Sequence, residues 1–354
     1  MSIVVRILSL GWAIMMITSI TNVADGAIPN DLQEKISIIN NDGPYLGIVV
    51  PNSFEMNPLL QSSSFVPHST LSYLDFAGRR FRFGTLESRK VIIVMSGLSM
   101  LNAGLVTQLL LSIFEIEGVV HFGIAGNANP NLQIGDVTIP HYWAHSGLWN
   151  WQRFGDGPDD ELAFESNGDY TRKIGYLNFS QYENGTKNGN YSGNLLNNVW
   201  YQPEEIFSVD GQPEIRQHAF WVPVDKLYFS LAEKLEDIVL EKCVNSTTCL
   251  PRSPKVFRVE RGVSANVLLD NAAYRNFLYS KFNATPVDME SAGVALVCLQ
   301  QRTPFIAIRA LSDLAGGGSS LSNEAAIFSS LAAQNSVTVL LKFITLLFSQ
   351  PQVI

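Results

Sequence analysis

Residues 91–127 contain the segment that decides the fold, VIIVMSGLSMLNAGLVTQLLLSIFEIEGVVHFGIAGN. Val91–Met95 is a short apolar run that stops just before Gly97, which predicts a buried strand. Met100–Phe114 has apolar residues at helical spacing, and Val119–Phe122 is a second apolar run of strand length. A strand, a helix and a further strand in this order predict an α/β fold with a largely parallel sheet.

The same alternation continues on both sides of this segment. Further strands are predicted at Tyr45–Val50, Arg80–Phe83, Ile134–Ile139 and Phe305–Ala310. Further helices are predicted at Asp225–Val239, Asn271–Lys281, Glu290–Gln300 and Asn323–Leu347. Residues Gly123–Asn129, between two of the strands, are predicted to form a loop. We therefore expect residues 27–354 to form one α/β domain.

The alternation stops between about Ser146 and Ile215, where Gly, Asn, Asp, Tyr and Trp residues replace the apolar pattern. This segment has no long apolar period, and it contains three of the five Asn-x-Ser/Thr sequons of the chain. Segments of this kind run over the surface of a domain. Residues 146–215 are therefore predicted to be a glycosylated surface insertion. The sequons begin at Asn178, Asn184, Asn190, Asn245 and Asn283.

Residues 1–26 have the features of a secretory signal peptide. One positive charge, at Arg6, precedes the apolar run Ile7–Thr18, and small residues follow at Ala24 and Ala27. The run is shorter than the roughly 20 apolar residues that a membrane-spanning helix requires, and no other stretch is expected to span a membrane. We therefore expect a protein of the secretory pathway, secreted or vacuolar, with no membrane attachment after signal cleavage.

The charge and the cysteines narrow the choice of function. A net charge of -8 and a pI near 5.2 argue against nucleic acid as a partner, which would require a basic surface. Cys243 and Cys249 enclose a short polar segment and can form a disulfide in an oxidising compartment. Cys298 lies in an apolar helical run and is expected to be a buried thiol. The His and Cys residues show no zinc-ligand spacing, so no metal site is expected.

Four polar segments adjoin apolar runs, at positions where α/β folds bind their ligands. Each also has a structural interpretation; Asp288 can cap a helix, and Glu55 and Glu290 suit a first helical turn. One such segment alone would favour the structural interpretation, but four together favour a binding site. The segments are Gly47–Glu55, Gly123–Asn127, Val287–Ala292 and Arg309–Asp313.

The order of these segments resembles the nucleoside phosphorylase superfamily, and most of all its methylthioadenosine/S-adenosylhomocysteine nucleosidases. VDMESAGVA (287–295) is similar to the family's VEMEATAIA-type segment, and RALSD (309–313) is similar to its RAISD segment. The resemblance runs from about Tyr45 to Leu347 outside the insertion. The signal peptide, the insertion and WAHSGLWNW (143–151) are most similar to those of plant bark storage and wound-inducible proteins. The resemblance implies a three-layer α/β/α domain with a central mixed sheet, a homo-oligomer, and no cofactor beyond inorganic phosphate as a phosphorylase's co-substrate.

The resemblance also implies which residues would cleave the N-glycosidic bond of a purine nucleoside. Asp313 would be the general acid that protonates N7 of the purine, and Glu55, beside Arg309, would activate or orient the attacking water. Glycosidic cleavage develops positive charge on the sugar and negative charge on the leaving group. An acid beside the purine can protonate the leaving group, and a carboxylate beside the sugar can stabilise its positive charge.

The substrate contacts follow from the same resemblance. Glu290 would hydrogen-bond the ribose hydroxyls, Met289 would pack beneath the sugar, and the backbone of Ala125 and Gly126 would approach the ribosyl and base region. Leu268 stands near the position of the family's base-stacking aromatic residue. The base therefore stays open between adenine, an N6-substituted adenine such as a cytokinin, and another purine.

The segments that hold phosphate in the family's phosphorylases differ in this chain. The first loop, Pro51–Phe54, has no arginine, and His121 and Ile124 stand where the family has an arginine and a serine. A neutral histidine is a poor substitute for a guanidinium, and an isoleucine side chain cannot bind phosphate. Hydrolysis is therefore favoured over phosphorolysis. His121 is equally open to interpretation as a core histidine with satisfied hydrogen bonds.

Three functions remain open: a purine nucleosidase or phosphorylase, a storage protein of the bark type, and a nucleoside- or cytokinin-binding protein with little catalysis. Retention of Glu55, Glu290, Arg309 and Asp313 favours the enzyme. The missing arginines and the apolar Leu268 favour storage or binding. The enzyme is the preferred interpretation.

Overall fold

The computed structural model describes residues 28–151, 170–178, 198–317 and 324–349. The predicted signal peptide and the sequons at Asn184 and Asn190 lie outside these residues. The chain divides into two units, Met1–Asp42 and Gly43–Ile354. The described part of the first unit contains helix α1 (Asn30–Asp42), which its polar composition does not predict.

The second unit alternates strands and helices along the chain. Its strands are β1 (Tyr45–Val50), β2 (Phe65–Pro67), β3 (Tyr73–Phe76), β4 (Arg79–Leu86), β5 (Arg89–Met95), β6 (Ile116–Asn127), β7 (Val137–His145), β8 (Trp149–Trp151), β9 (Tyr176–Asn178), β10 (Asn198–Tyr201), β11 (Glu204–Phe207), β12 (Arg216–Ala219), β13 (Val222–Pro223), β14 (Val256–Ser264), β15 (Ala284–Asp288) and β16 (Phe305–Leu314). Its α-helices are α2 (Ser53–Leu60), α3 (Met100–Ile113), α4 (Tyr170–Ile174), α5 (Lys226–Leu231), α6 (Ala272–Phe282), α7 (Ser291–Gln301) and α8 (Glu324–Phe348).

Eleven of the described strands form one mixed sheet. Its order is β13-β7-β14-β15-β6-β1-β5-β4-β2, with β3 paired to β4 and with β16 paired to β6 and β7. β1 runs parallel to β5 and β6, and β16 also runs parallel to β6. β15 is antiparallel to β6, and β4 is antiparallel to β5. The predicted α/β fold with a central mixed sheet is therefore confirmed.

Continuous apolar runs account for the central strands. All six residues of β1 are buried, as are the first eight residues of β16. Strands that are covered on both faces show such runs rather than an alternating pattern. Helix α3 packs closely on β1, since a side chain at Gly47 would come within 2.8 Å of Leu110. Because β1, β6 and β16 are parallel neighbours, their carboxyl ends lie at the same edge of the sheet.

β6 extends further than its apolar run predicts. The prediction of a loop at Gly123–Asn129 is wrong for Gly123–Asn127, which continues the strand. Glycine, alanine and asparagine have low strand propensity, but these residues pair with Arg309–Leu314 of β16 and with the end of β15. Tertiary hydrogen bonding therefore overrides the local preference.

Two strands and one helix also differ from the prediction. The pattern does not predict β14 and β15, because charged residues interrupt β14 (VFRVERGVS) and β15 is only five residues long. The helix predicted at Asp225–Val239 ends at Leu231 and continues as one 3₁₀ turn, Ala232–Leu235. The other predicted strands and helices are present, with ends that differ by up to several residues.

Part of the described insertion is packed into the domain. β8, β9 and β10 form a three-stranded sheet, and β11 pairs with β12. Leu177, Val199 and Tyr201 are buried in an apolar cluster that also contains Phe282 of α6. The prediction of a surface position is therefore wrong for Leu177, Val199 and Tyr201, because their side chains form part of a second core.

Helix α8 is the longest helix among the described residues. Its segment Ala325–Phe348 is long and apolar enough to cross a membrane by length and composition, contrary to the expectation that no second stretch would be. However, 56% of its most apolar window is buried within the protein, and Leu340, Phe343 and Ile344 are fully buried. These contacts are typical of the core helix of a folded domain.

The cysteines and the described sequons occupy different environments. Cys243 and Cys249 are joined by a disulfide, and Cys298 is a buried thiol in α7. The sequon residues Asn245 and Asn283 are exposed. Both are therefore accessible on the surface of the second unit.

Candidate active site

A cavity of about 230 Å³ lies where β1, β6 and β16 end. Its lining comes from all four polar segments that the sequence singles out. The predicted residues in the lining are Glu55, Ala125, Gly126, Leu268, Met289, Glu290 and Asp313. Arg309 and His121 are fully buried and do not belong to the lining.

Glu55 is held at the start of α2 by a reciprocal capping interaction. The Asn52 side chain accepts a hydrogen bond from the Glu55 amide at 3.1 Å, and its Nδ2 donates to Glu55 Oε2 at 2.7 Å. The other oxygen, Oε1, accepts from the amide of Ile124 at 2.7 Å. Both carboxylate oxygens are therefore oriented, and the side chain is only 1% exposed.

The environment of Glu55 favours its neutral form. Burial raises the pKa of Glu55 from 4.5 to about 7, although the positive charge of Arg309 and the amide of Ile124 act in the opposite direction. The negative charges of Glu290 and Asp288 raise this pKa further. Glu55 is therefore placed to exchange a proton near neutral pH.

Arg309 is a fully buried guanidinium surrounded by acids. Its Nε lies 2.7 Å from Asp288 Oδ2, its Nη2 lies 3.6 Å from Glu290 Oε2, and its Nη1 lies 4.0 Å from Glu55 Oε1. A side chain at Gly123 would come within 2.4 Å of Arg309 Nη1, so only glycine leaves room for this arrangement. Because the other charges are buried with it, Arg309 provides their shared counterion.

His121 is a buried histidine whose ring nitrogens both have partners. Its Nδ1 donates to the carbonyl of Val49 at 2.8 Å, so its Nε2 is left to accept a hydrogen bond from Arg309 Nη2. Burial, followed by the charge of Arg309, holds the pKa of His121 well below its ordinary value. His121 is therefore a neutral core histidine, and its phosphate-binding interpretation has no geometric support.

Glu290 opens helix α7 beside the cavity. Its Oε1 accepts a hydrogen bond from the amide of Ser99 at 3.1 Å. Burial, followed by the negative charge of Asp288, raises the pKa of Glu290. Met289, the preceding residue, also lines the cavity. Both residues lie at the cavity, and their sugar-binding role stays a prediction.

A β-bulge brings Asp313 to the cavity. The pairing of β16 with β6 shifts between Leu311 and Asp313, so Ser312 is an extra residue in the strand. The Ser312 hydroxyl lies 2.5 Å from Asp313 Oδ1 and 3.3 Å from the carbonyl of Ala125. A side chain at Gly126 would come within 3.1 Å of Ala315, so β6 and the end of β16 pack closely here.

The segment that is predicted to contact the base is more open. Leu268 is 82% exposed at the cavity, next to Val267 and Leu269. Asn266, in the same segment, accepts a hydrogen bond from the amide of Met100 at 3.0 Å. Asn266 therefore binds the first turn of α3, and most of the Leu268 side chain is open to solvent.

Three potential metal ligands, His121, Asp288 and Glu290, lie within 4.8 Å of one another. All three contact Arg309. The guanidinium already supplies positive charge to this cluster, so these residues do not fit a further cation.

Two residues of the site are not identified from the sequence pattern. Asn52 belongs to the first polar segment, and its spacing of three residues before Glu55 is a capping-box signal. Asp288 is interpreted there as a helix cap, and it does accept hydrogen bonds from the amides of Glu290 and Ser291. Its ion pair with Arg309 has no local sequence signal, because the two residues belong to different strands, β15 and β16.

Comparisons with known proteins agree with this architecture. Residues 45–345 match the Phosphorylase superfamily. Bark storage protein A of Populus deltoides is 34% identical over 301 residues, which cover 84% of this chain and 88% of that protein. The 5'-methylthioadenosine/S-adenosylhomocysteine nucleosidase of Staphylococcus aureus is 24% identical over 274 residues, which cover 76% of this chain and 88% of that protein.

Solved structures show the same fold at lower identity. Futalosine hydrolase of Helicobacter pylori superposes with a TM-score of 0.57 at 17% identity and covers 86% of this chain and 99% of its own. A nucleosidase of Colwellia psychrerythraea superposes with a TM-score of 0.57 at 21% identity and covers 86% of this chain and 95% of its own. From the matched family, the identity to bark storage protein A and this shared fold, we conclude that the chain belongs to the Phosphorylase superfamily.

Proposed function

We propose that this protein hydrolyses the N-glycosidic bond of a purine nucleoside. The observation that carries the proposal is that two carboxyl groups, the buried Glu55 and Asp313, line the same cavity. Burial raises the pKa of Glu55 to about 7. One acid and one base in a single cavity are the groups that glycosidic hydrolysis requires. The Colwellia psychrerythraea nucleosidase structure contains adenine, which supports a purine as the base.

Each group has a defined role in the proposed reaction. Asp313 donates a proton to N7, so that the purine leaves as a neutral base. Glu55 removes a proton from the attacking water, and Glu290 accepts hydrogen bonds from the ribose hydroxyls. Each proton transfer contributes about 10²–10⁴-fold in rate.

The contacts of Glu55 support water rather than phosphate as the nucleophile. Its Oε1 already accepts the amide hydrogen of Ile124. The same carboxylate lies close to the backbone of Gly123, since a Cβ atom added there would come within 2.5 Å of Oε1. A phosphate beside Gly123 and Ile124 would contact the carboxyl group of Glu55, because the amide of Ile124 is already bound to that carboxyl group. Arg309 is also engaged, since it contacts Asp288 and Glu290.

Release of free base from a panel of purine nucleosides, with and without phosphate, tests the proposal. We expect release without phosphate, and we expect Asp313→Asn to lower kcat by about 10²–10⁴-fold because it removes the general acid. Asp237→Asn is the matched control, since Asp237 is exposed and lies outside the cavity lining. Release that requires phosphate would contradict hydrolysis, and full activity of Asp313→Asn would contradict the assigned acid.

A storage function is the second candidate, because bark storage protein A is 34% identical to this chain. The open surroundings of Leu268 are compatible with loss of strong base binding. A wild-type protein that neither releases base nor binds a purine nucleoside favours storage. Tight binding of a nucleoside or a cytokinin without release favours a binding protein.

We also propose that the protein follows the secretory pathway and assembles as a homo-oligomer. The disulfide and the exposed sequons at Asn245 and Asn283 support an oxidising, glycosylating compartment. The exposed Leu101 and Leu105 of α3 provide apolar surface for self-association. An unchanged electrophoretic mobility after deglycosylation of the natural protein would contradict the first proposal, and a monomeric mass in solution would contradict the second.

A further inference from the structure

We propose that Asp288 is a positioning residue: it takes the closest ion pair of Arg309 and thereby leaves Glu55 available as a proton acceptor. The catalytic consequence of this role rests on the proposed hydrolysis. Asp288 differs in this respect from Glu55 and Glu290, which act on water and sugar in that reaction. Its own contacts are directed to the protein.

Both carboxylate oxygens of Asp288 are occupied by neighbouring groups. Oδ2 lies 2.7 Å from Arg309 Nε and accepts the hydroxyl of Ser291. Oδ1 accepts the hydroxyl of Ser264 at 2.5 Å and the amides of Glu290 and Ser291 at 3.3 and 3.2 Å. Hydrogen bonds and an ion pair to both oxygens hold the carboxylate in one orientation.

The two serine hydroxyls have fixed directions. Ser264 Oγ accepts from the amide of Ala292 at 2.9 Å, and Ser291 Oγ accepts from Arg309 Nε at 3.0 Å. Each hydroxyl proton is therefore directed to Asp288. β14, β15, α7 and β16 all contribute to this network, so it connects Arg309 to three other elements.

The distances around Arg309 decide how its charge is shared. Asp288 is closest at 2.7 Å, whereas Glu290 lies at 3.6 Å and Glu55 at 4.0 Å. The imidazole of His121, which also contacts Arg309, is neutral. The single positive charge of Arg309 is shared by three carboxyl groups. Because Asp288 forms the closest ion pair, the anionic forms of Glu55 and Glu290 are stabilised less. The raised pKa values of Glu55 and Glu290 agree with this division.

Asp288→Asn should change the proton equilibrium of Glu55 in a defined direction. The substitution removes one negative charge and frees Arg309 to pair more closely with Glu55 and Glu290. Both effects favour ionised Glu55, so its titration moves to lower pH. Because Glu55 then becomes a weaker base and Arg309 is displaced, we expect kcat to fall by about 100-fold.

Asp136 provides a matched control outside the cavity lining. It is fully buried, binds Arg252 Nη1 at 2.9 Å and Nη2 at 2.5 Å, and accepts the amides of Gln133 and Lys255 at 2.9 Å each. Asp136→Asn therefore removes an equivalent buried charge. It should lower stability and leave the titration of Glu55 unchanged.

Carboxyl ¹³C NMR of the full chain measures the titration of Glu55, with Glu55→Gln for assignment, and kcat/KM is measured against pH. A shift to lower pH in Asp288→Asn but not in Asp136→Asn supports the proposal. An unchanged titration in Asp288→Asn, or an equal shift in both variants, overturns it. If the wild-type protein releases no base, the proposed function fails, while the NMR titration still decides the role of Asp288.

Asp288→Glu keeps the charge and serves if Asp288→Asn does not fold. Glu55 should then titrate as in the wild type, because the negative charge remains beside Arg309. A shift to lower pH in Asp288→Glu would show that the charge of residue 288 is not the determinant, and would overturn the proposal.

Discussion

Two carboxyl groups of the candidate site, Glu55 and Glu290, are buried beside one guanidinium, and burial raises the pKa of both. An isolated buried carboxylate would be costly, so the shared Arg309 and the amides of Ile124 and Ser99 are needed to retain them. These partners do not fully offset the cost of burying the two charges, so both carboxyl groups bind protons more tightly than in water. The chemistry of the site and the stability of the fold therefore depend on the same residues.

The stability of the protein should depend on pH through Glu55. The pKa of Glu55 is about 7 in the folded state against an ordinary 4.5, so the folded state retains a proton that the unfolded chain loses. The contribution of this residue is fully present below pH 4.5 and is lost as the pH rises through 7. Glu55→Gln does not titrate, so from pH 4 to pH 8 its free energy of unfolding should rise by about 3 kcal/mol relative to the wild type.

Urea unfolding of both proteins at the two pH values measures this difference. Glu214→Gln is the control, since Glu214 is exposed and its replacement should give the same difference at both pH values. A Glu55→Gln variant that behaves like Glu214→Gln would contradict a raised pKa for Glu55.

At the scale of single elements, the site depends on how strands and helices end. α2 begins with the capping residue Asn52, and β16 contains the bulge that brings Asp313 to the cavity. Neither feature contributes a reacting group. Both determine where the reacting carboxyl groups lie.

Asn52→Ala should change both the stability of α2 and the proton affinity of Glu55. Loss of the cap should lower the free energy of unfolding by about 1 kcal/mol. Loss of the Nδ2 hydrogen bond to Glu55 Oε2 removes a group that favours the ionised form, so the titration of Glu55 should move to higher pH. The pH dependence of kcat/KM measures this change, which is opposite to that expected for Asp288→Asn.

Asn271→Ala is the matched control for the cap. Asn271 caps α6 and accepts a hydrogen bond from the amide of Tyr274 at 2.9 Å. Its replacement should cost a similar free energy of unfolding and leave the pH profile unchanged. An equal change of the profile in both variants would rule out a specific effect of Asn52.

At the scale of the whole molecule, three insertion residues, Leu177, Val199 and Tyr201, extend the core of the domain. Tyr201 is fully buried, stacks on Phe277 at 6.3 Å and hydrogen-bonds Tyr274 at 2.8 Å between the hydroxyls. The second apolar cluster also contains Val287, the residue before Asp288. The insertion therefore packs against the strand that leads to the site.

Tyr201→Ala should lower the free energy of unfolding by about 3–5 kcal/mol, because it leaves a cavity in this cluster. Phe207→Ala, at a position that is 55% exposed, should change the stability by less than about 0.5 kcal/mol. Thermal and urea unfolding measure both values. Similar small effects for the two variants would mean that the insertion is not part of the cooperative core.

Much of the fold and of the candidate site could be predicted from local pattern. The runs of β1 and β16 are continuous because both faces of these strands are covered, and the helical spacing of α3 marks its buried side. The polar segments are visible because they interrupt apolar runs, and the structure brings residues of all four together at one cavity. Their order was sufficient to indicate the superfamily.

The sequence by itself determined the alternation of strands and helices, the superfamily, and the choice of Glu55, Glu290 and Asp313 as candidate site residues. Only the tertiary structure decided that Gly123–Asn127 is a strand and that His121 is a neutral core residue, because these depend on partners distant in the chain. It also decided which acid pairs most closely with Arg309 and how strongly Glu55 holds its proton. Proton affinity reflects burial and the distances between charges, and local sequence contains neither quantity.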